Sequence, residues 1–397
     1  MPDFYEFFAG GGMARAGFGD GWTCTFANDF DMAKAAVYRD NWGGDHFREG
    51  DIRSIATSDL PGHPALVWAS TPCQDLSLAG DGEGLGDGES LLTRSGAFWP
   101  WVHLMRNLAA EGRKPPVKVF ENVTGALSSN GGADFTIVAQ AFHDAGYVFS
   151  AVQVDAAMFL PQSRPRLFVI GIDKELVIPP GVRMLGPQAP WHTPAIQAAY
   201  DRLPEEVRAS WAWWGLPQPL ARRPTLESMI EDAPTGIEWH TPAETRKLIV
   251  AMSPANAAKL AQAKAIGRKI VGTIYKRTRL VGKARMVGGK KVQKRKVFAE
   301  VRFDGIAGCL RTPSGGSSRQ TVIVVEGNRI RTRLLSTREC ARLMGLPDTY
   351  RMPDNYNDGY HLAGDGVAVP VVRFLAQHLL EPLAAAARRD TEIRMAG

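Results

Sequence analysis

A doubly wound α/β sheet followed by a smaller, less regular domain is the architecture this sequence predicts. Two observations carry that prediction. Over the first 175 residues, short β-rich runs alternate with helical segments. From about Val182 the alternation stops. Prolines and tryptophans (Trp191, Trp211, Trp213, Trp214) appear, and a dense basic block follows.

The elements follow in order. Strands are expected at 3–8, 23–28, 65–70, 117–121, 147–154 and 166–172, with a further one just before Gly50-Asp51-Ile52. Helices are expected at 13–18, 31–41, 96–110 and 134–145, and the tail at 370–389 reads as an amphipathic helix with Pro at its first position. Ligands of such sheets bind at the carboxyl ends of the strands. No internal repeat is visible.

Composition narrows the class. Of 397 residues, 45% are hydrophobic, enough for a sizeable core. The four cysteines, at 24, 73, 309 and 340, show no CxxC or Cys/His spacing, which argues against a disulfide framework or a structural zinc and predicts no metal. This cysteine usage predicts a cytoplasmic protein. The sequence shows no signal segment and no apolar run approaching the roughly 20 residues that span a bilayer, so no membrane partner is expected. The net charge is +6, yet the 55 residues between Glu244 and Glu300 carry 16 Lys and Arg and no acid, leaving −10 for the remainder. Such a block suits a phosphate backbone, although a charge run is more often a solvated face.

The chemistry-bearing residues lie at predicted strand ends. Phe8-Ala9-Gly10-Gly11-Gly12 joins the first strand to a helix, where glycines let a ligand approach the backbone. Asn28-Asp29 ends the second strand, and Asp51 follows the third. Each aspartate alone fits a cap or turn; in sequence on successive strand ends they suggest an adenosine pocket. The fourth run ends in Ser70-Thr71-Pro72-Cys73-Gln74-Asp75-Leu76-Ser77, ahead of a loop with glycines at 80, 82, 84, 86 and 88. Cys73 alone would be a small buried hydrophobe. Glu121 in Glu121-Asn122-Val123, and Arg164 and Arg166 in Gln162-Ser163-Arg164-Pro165-Arg166, would make a structural ion pair or, with Cys73, a thiol, an acid and fixed cations around one crevice.

These motifs in this order, with RLLSTRECARLMGLPD at 333–348 and GDGVAVPVV at 364–372, resemble the DNA (cytosine-5) methyltransferases over nearly the whole chain. The resemblance implies a Rossmann-like S-adenosylmethionine-dependent domain at 1–182, a target-recognition domain at 183–354 and a return to the catalytic domain at 355–397. It implies Cys73 as nucleophile, Glu121 as the acid on the target base, and Arg164 and Arg166 bracing both. Cofactor contacts are implied for Phe8, Gly10, Gly11, Gly12, Asp29, Phe30, Asp51, Ile52, Pro72, Asp365 and Val367. Lys276, Arg277, Arg279, Lys290, Lys291, Lys294, Arg295, Lys296, Gly315, Gly316 and Ser317 are expected to meet DNA.

The chemistry agrees with the resemblance. Cytosine C5 is a poor nucleophile until a thiolate adds at C6, and the buried target atom requires that the base be flipped out of the duplex. The glycine-rich loop behind Cys73 is expected to close over DNA and exclude water. The implied substrate is double-stranded DNA bound by a monomer, with no companion endonuclease needed for activity. Two rivals remain: the same reaction on RNA, and a catalytically silent DNA-binding relative. The chain departs from the family at Met13, Asp155 and Asp365, where Gly, Asn and Asn are usual.

Overall fold

The computed structural model describes residues 1–72, 97–219, 223–287, 290–311 and 318–396. Cys73, the glycine-rich loop after it, Gly315, Gly316 and Ser317 lie outside the described residues.

The first half alternates as expected: β1 (Asp3–Phe7), α1 (Met13–Phe18), β2 (Thr23–Asp29), α2 (Met32–Trp42), β3 (Phe47–Glu49), β4 (Leu66–Ser70), α3 (Phe98–Ala110), β5 (Val117–Val123), α4 (Ala133–Asp144), β6 (Tyr147–Asp155) and β7 (Pro165–Asp173). They form one seven-stranded sheet in the order β3-β2-β1-β4-β5-β7-β6. β1 to β5 run parallel, and β7 enters antiparallel between β5 and β6. Helices cover both faces, which is why β4 reads Leu-Val-Trp-Ala without a polar position. Phe4 and Trp68 pack on one side with the C-terminal helices; Tyr5, Phe7 and Val67 pack on the other with α3 and α4. The antiparallel partner carries β5 past its expected end at 121, because Val123 pairs with Arg166. Glu121 therefore sits within the ladder, opposite Ser70 of β4. Lys118, also in β5, is fully buried, its ammonium 4.4 Å from the Trp101 ring centre and 5.0 Å from that of Phe142.

The expected boundary at 182/183 is not a packing break. β8 (Arg183–Met184) pairs with β9 (Trp213–Trp214), flanking α5 (Pro194–Arg202) and α6 (Glu205–Ala209). This segment still docks on the large sheet: Phe149 bridges to Trp211, and Trp214 Nε1 donates to the Ile170 carbonyl at 2.8 Å. Beyond α7 (Leu226–Met229), α8 (Pro242–Val250) and α9 (Pro254–Ala265) comes an antiparallel sheet of β10 (Lys269–Val287), β11 (Lys290–Arg302), β12 (Thr321–Glu326) and β13 (Arg329–Leu334), ordered β11-β10-β12-β13. The region expected to be irregular thus contains a regular sheet over its own small core of Leu260, Ile274, Val301 and Ile323. Lys and Arg on both faces of the ribbon hide its two-residue alternation from the sequence.

α10 (Thr337–Leu343), α11 (Tyr356–Asp365), α12 (Val369–Leu375) and α13 (Glu381–Ala396) complete the chain. The single tail helix expected at 370–389 is α12 and α13 joined through a π-helical turn at Ala376–Leu380. Contrary to the expectation from composition, the run Tyr356–Asp390 is apolar and long enough to span a bilayer; 67% of its most apolar window is buried, so its composition reflects core packing. The chain has returned to the first sheet before 355, since Tyr350 Oη donates to the Gly11 carbonyl at 2.6 Å.

Candidate active site

The carboxyl ends of β1, β2, β4 and β5 open into a cavity of about 550 Å³, within the roughly 300–1,000 Å³ of small-molecule sites. The turn after β1 makes one wall. Phe8, Gly10 and Gly12 all have left-handed backbones, φ +57°, +55° and +78°. A Cβ on Gly11 would stand 2.3 Å from Tyr350 Oη, and one on Gly12 would stand 2.4 Å from Trp42 Nε1. A Cβ on Gly10 would meet nothing, so its bareness faces open space. These glycines hold the turn tight against α2 and the Tyr350 loop and leave backbone bare to the cavity.

The second wall comes from β2 and the start of α2. Asp29 is buried, and its two oxygens accept from the Gly10 and Asp31 amides at 2.8 and 2.9 Å. Burial holds its carboxyl above the usual range. Phe30 beside it is 66% exposed although aromatic, and it lines the cavity. An exposed ring next to a buried carboxylate suits a flat heterocycle joined to a diol. Asp51 caps the turn holding Ile52 and also binds Arg53 Nε at 3.0 Å. Asp365 and Val367 come from the far end of the chain, and Asp365 is held by Lys34 Nζ at 2.8 Å. The departure at Met13 has a physical reason: a Cβ on Gly366 would stand 2.2 Å from Met13 Sδ, so this thioether fills the space between the glycine turn and the 364–367 segment.

The third wall carries the reactive groups. Pro72, Glu121 and Arg166 line the same cavity. Glu121 is 6% exposed, and Arg166 Nε lies 3.3 Å from its Oε1. Burial raises the carboxyl's pKa above the ordinary value, against the opposing pull of Arg166 and of a bond to Ser70. A buried carboxyl beside a guanidinium can donate a proton or a hydrogen bond to a ring nitrogen when protonated, and burial favours that form. Asn122 Nδ2 donates to Thr71 Oγ1 at 3.0 Å and to its carbonyl at 3.3 Å, fixing the backbone that leads into Cys73. Cys73 itself is outside the described residues.

The structure separates the two arginines that the sequence paired. Arg164 is 1% exposed and does not line the cavity. Its Nη1 donates to the Leu310 carbonyl at 3.0 Å and its Nη2 to those of Gly364 (2.8 Å) and Gly366. It ties the start of β7 to both distant segments, and its charge also lowers the pKa of Glu121. Asp155 holds that start in place by accepting from the Arg164 amide at 2.7 Å, which gives the second departure a structural role. Lys34, Ser70, Thr71, Asn122 and Glu6 also belong to the site or its frame, and sequence reasoning missed them. Only the placement of Ser70, Thr71 and Asn122 within the motifs could have signalled them.

The basic residues lie elsewhere. Beyond Ile274, β10 loses its partner β12 and continues only against β11, as a two-stranded ribbon. Lys276, Arg277, Arg279, Lys294, Arg295 and Lys296 are exposed on it, and the backbones of Lys290 and Lys291 pair near its tip. Among the described residues no group of His, Cys, Asp or Glu is arranged to hold a metal ion.

A family model for C-5 cytosine-specific DNA methylases matches residues 3–381. The chain belongs to that family. The methylase is a DNA (cytosine-5-)-methyltransferase. It is 25% identical over 381 residues to the Type II methyltransferase M.HhaI of Haemophilus parahaemolyticus, covering 95% of this chain and 93% of that one. With the Type II methyltransferase M.HaeII of Haemophilus aegyptius it shares 25% over 387 residues, covering 97% and 94%. In fold it is similar to the Dnmt2 methyltransferase of S. pombe, with TM-score 0.55 and 15% identity over 96% of this chain and 99% of that one.

Proposed function

We propose that the methylase transfers a methyl group from S-adenosylmethionine to C5 of a cytosine flipped out of duplex DNA, through a covalent bond between Cys73 and C6. The observation that supports this most is the shared cavity. Phe30, Asp29 and Asp51 on one side would hold an adenosine, and Pro72, Glu121 and Arg166 on another stand where a base would enter. Family membership implies the cofactor, and the exposed Phe30 ring and the bare Gly10 fit it.

Bound there, S-adenosylmethionine supplies an electrophilic methyl on a sulfonium. The chain's own residues prepare the acceptor. Glu121, whose burial favours its protonated form, hydrogen-bonds N3 of the cytosine and makes the ring accept a thiolate. Arg166 keeps Glu121 oriented and offers donors to charge developing at O2. The thiolate of Cys73 adds at C6, C5 gains enamine character and is methylated, and loss of the C5 proton expels the thiolate. The Asn122–Thr71 bonds hold the strand end that precedes Cys73 in the chain. Arg164 acts as a positioning residue. The recognition region is read as running from 183 to 354, with the β10–β11 ribbon meeting phosphates.

The deciding experiment offers duplex DNA with 5-fluorocytosine at candidate sites, and tRNA as a competing acceptor, together with S-adenosylmethionine. A denaturation-resistant protein–DNA complex is expected, because fluorine cannot leave C5 as a proton would. Methyl transfer to tRNA alone would move the substrate to RNA. Tight DNA binding with neither adduct nor transfer would leave a silent binding protein.

A further inference from the structure

The β10–β11 ribbon of the methylase has two unlike sides. Residues paired across an antiparallel ladder point the same way, and so do alternate residues along each strand. One side holds Arg277 opposite Phe298, Arg279 opposite Lys296 and Val281 opposite Lys294. There Phe298 is partly buried under two cations, with Lys296 Nζ 5.2 Å and the Arg279 guanidinium 5.8 Å from its ring centre. The other side holds Lys276 opposite Ala299, Thr278 opposite Val297 and Leu280 opposite Arg295.

This second side begins as core. Ile274, Ala299 and Val301 are buried on it, packed with Leu260 and Ala263 of α9. Past Lys276 the same side emerges into solvent: Val297 is 46% exposed, Leu280 is 58% exposed, and Thr278 between them is exposed too. Leu280 stands about 20 Å along the strand from Ile274, where pairing with β12 ends. Single apolar residues on a surface need no explanation. These two are diagonal neighbours in one ladder, within 55 residues that hold 16 Lys and Arg and no acid.

The surrounding charge selects the occupant of this apolar side. A polyanion matches it, and the major groove of B-form DNA admits a two-stranded ribbon between two rows of phosphates. The apolar group that this groove offers is the C5 methyl of thymine. A-form RNA presents a deep, narrow major groove that side chains cannot read, and its uracil lacks the methyl. We infer that Thr278, Leu280 and Val297 form a base-reading face that packs on thymine methyls in the major groove. Lys276 and Arg295 at its margins, and the cations around Phe298 behind it, go to phosphates. The assignment rests on the DNA reading of the ribbon proposed above. It gives the ribbon a preference for A·T pairs in addition to affinity, since phosphate contacts carry no sequence information.

The test is duplex binding by the full chain with S-adenosylhomocysteine present. Selection from a randomised duplex pool should enrich A·T pairs at a fixed offset from the target cytosine. Replacing the selected thymines by deoxyuridine removes only major-groove methyls and should weaken binding about fourfold for each methyl in contact, as for one buried CH₂. Leu280→Ala combined with Val297→Ala should make thymine and deoxyuridine duplexes bind alike, with the salt slope and melting temperature unchanged. Equal affinity of the wild-type protein for the two duplexes, or a methyl effect that survives in the double variant, would overturn the assignment. So would self-association in sedimentation that the double variant loses, which would give the face to a second copy of the chain. If the double variant fails to fold, the wild-type comparison of thymine with deoxyuridine decides. Failure of the parent reading looks different: neutralising the ribbon cations would then leave the salt slope unchanged, and the assignment would fall with it.

Discussion

In the cavity, Asp365 sits against Lys34 at 2.8 Å and Glu121 against Arg166 at 3.3 Å; on the β10–β11 ribbon, Arg279 lies opposite Lys296 in the ladder. Cross-strand like charges destabilise a sheet. Some relief comes from Glu300, which pairs with Arg279, but Lys294 and Arg295 stand exposed opposite Val281 and Leu280. The cavity holds its charges in fixed geometry, as differential binding of a transition state requires. The ribbon stores repulsion that a polyanion would relieve, as phosphate binding requires. The two regions should therefore respond differently to the same kind of mutation.

The largest separation is expected at Cys73. Cys73→Ala should abolish methyl transfer while cofactor affinity, measured by calorimetry, stays near wild type. Measurable turnover by a clean Cys73→Ala protein would remove the covalent mechanism.

The ribbon comes next. Replacing Lys290, Lys291, Lys294, Arg295 and Lys296 together by Gln should weaken DNA binding and reduce the log–log salt slope by as much as about 4.5, with cofactor binding intact. An unchanged slope in a binding titration would place the ribbon away from DNA and erase the contrast.

Lys118 tests whether buried charge in the catalytic half always has a use. Burial lowers its pKa to about 7, whereas an unfolded lysine titrates near about 10.4. The depressed lysine sheds its proton on folding. Stability is therefore highest above the unfolded value and is lost as pH falls from about 10.4 towards 7. Lys118→Met should stabilise by a few kcal/mol at pH 7, less whatever the Trp101 and Phe142 rings return to the cation, and by little at pH 10.5. Melting curves at the two pH values check this; equal gains at both would mean that packing alone is responsible.

The smallest effect is expected at Asp365. Asp365→Asn removes the partner of Lys34, yet Lys34 still faces Asp29 and Asp31. Catalytic efficiency should stay within about tenfold, a cost under roughly 1.4 kcal/mol. Asp365→Lys would set a second cation beside Lys34 and should weaken cofactor binding far more. Unchanged cofactor affinity in a folded Asp365→Lys protein would remove this residue from the site.

Legibility followed distance along the chain. Asp29 and Asp51 could be read because each lies at or just after its strand end. Arg164 and Arg166 looked equivalent in Gln162-Ser163-Arg164-Pro165-Arg166, two residues apart. Their partners differ because carbonyls at 310, 364 and 366 claim the first, while Glu121 across the ladder claims the second. Lys34 was passed over because its partner is 331 residues away.

By itself the sequence determined the alternating α/β order, the strand-end positions of the glycine turn, Asp29, Asp51 and Pro72, and the place of the basic block. Each of these depends on local propensity, periodicity or composition, which neighbouring residues decide. Tertiary structure alone decided which charges are neutralised, that β7 runs antiparallel and carries Glu121 into the ladder, and that the basic block becomes a projecting ribbon. Those outcomes depend on desolvation and on partners brought together by folding, and neither is a property of a short stretch of chain.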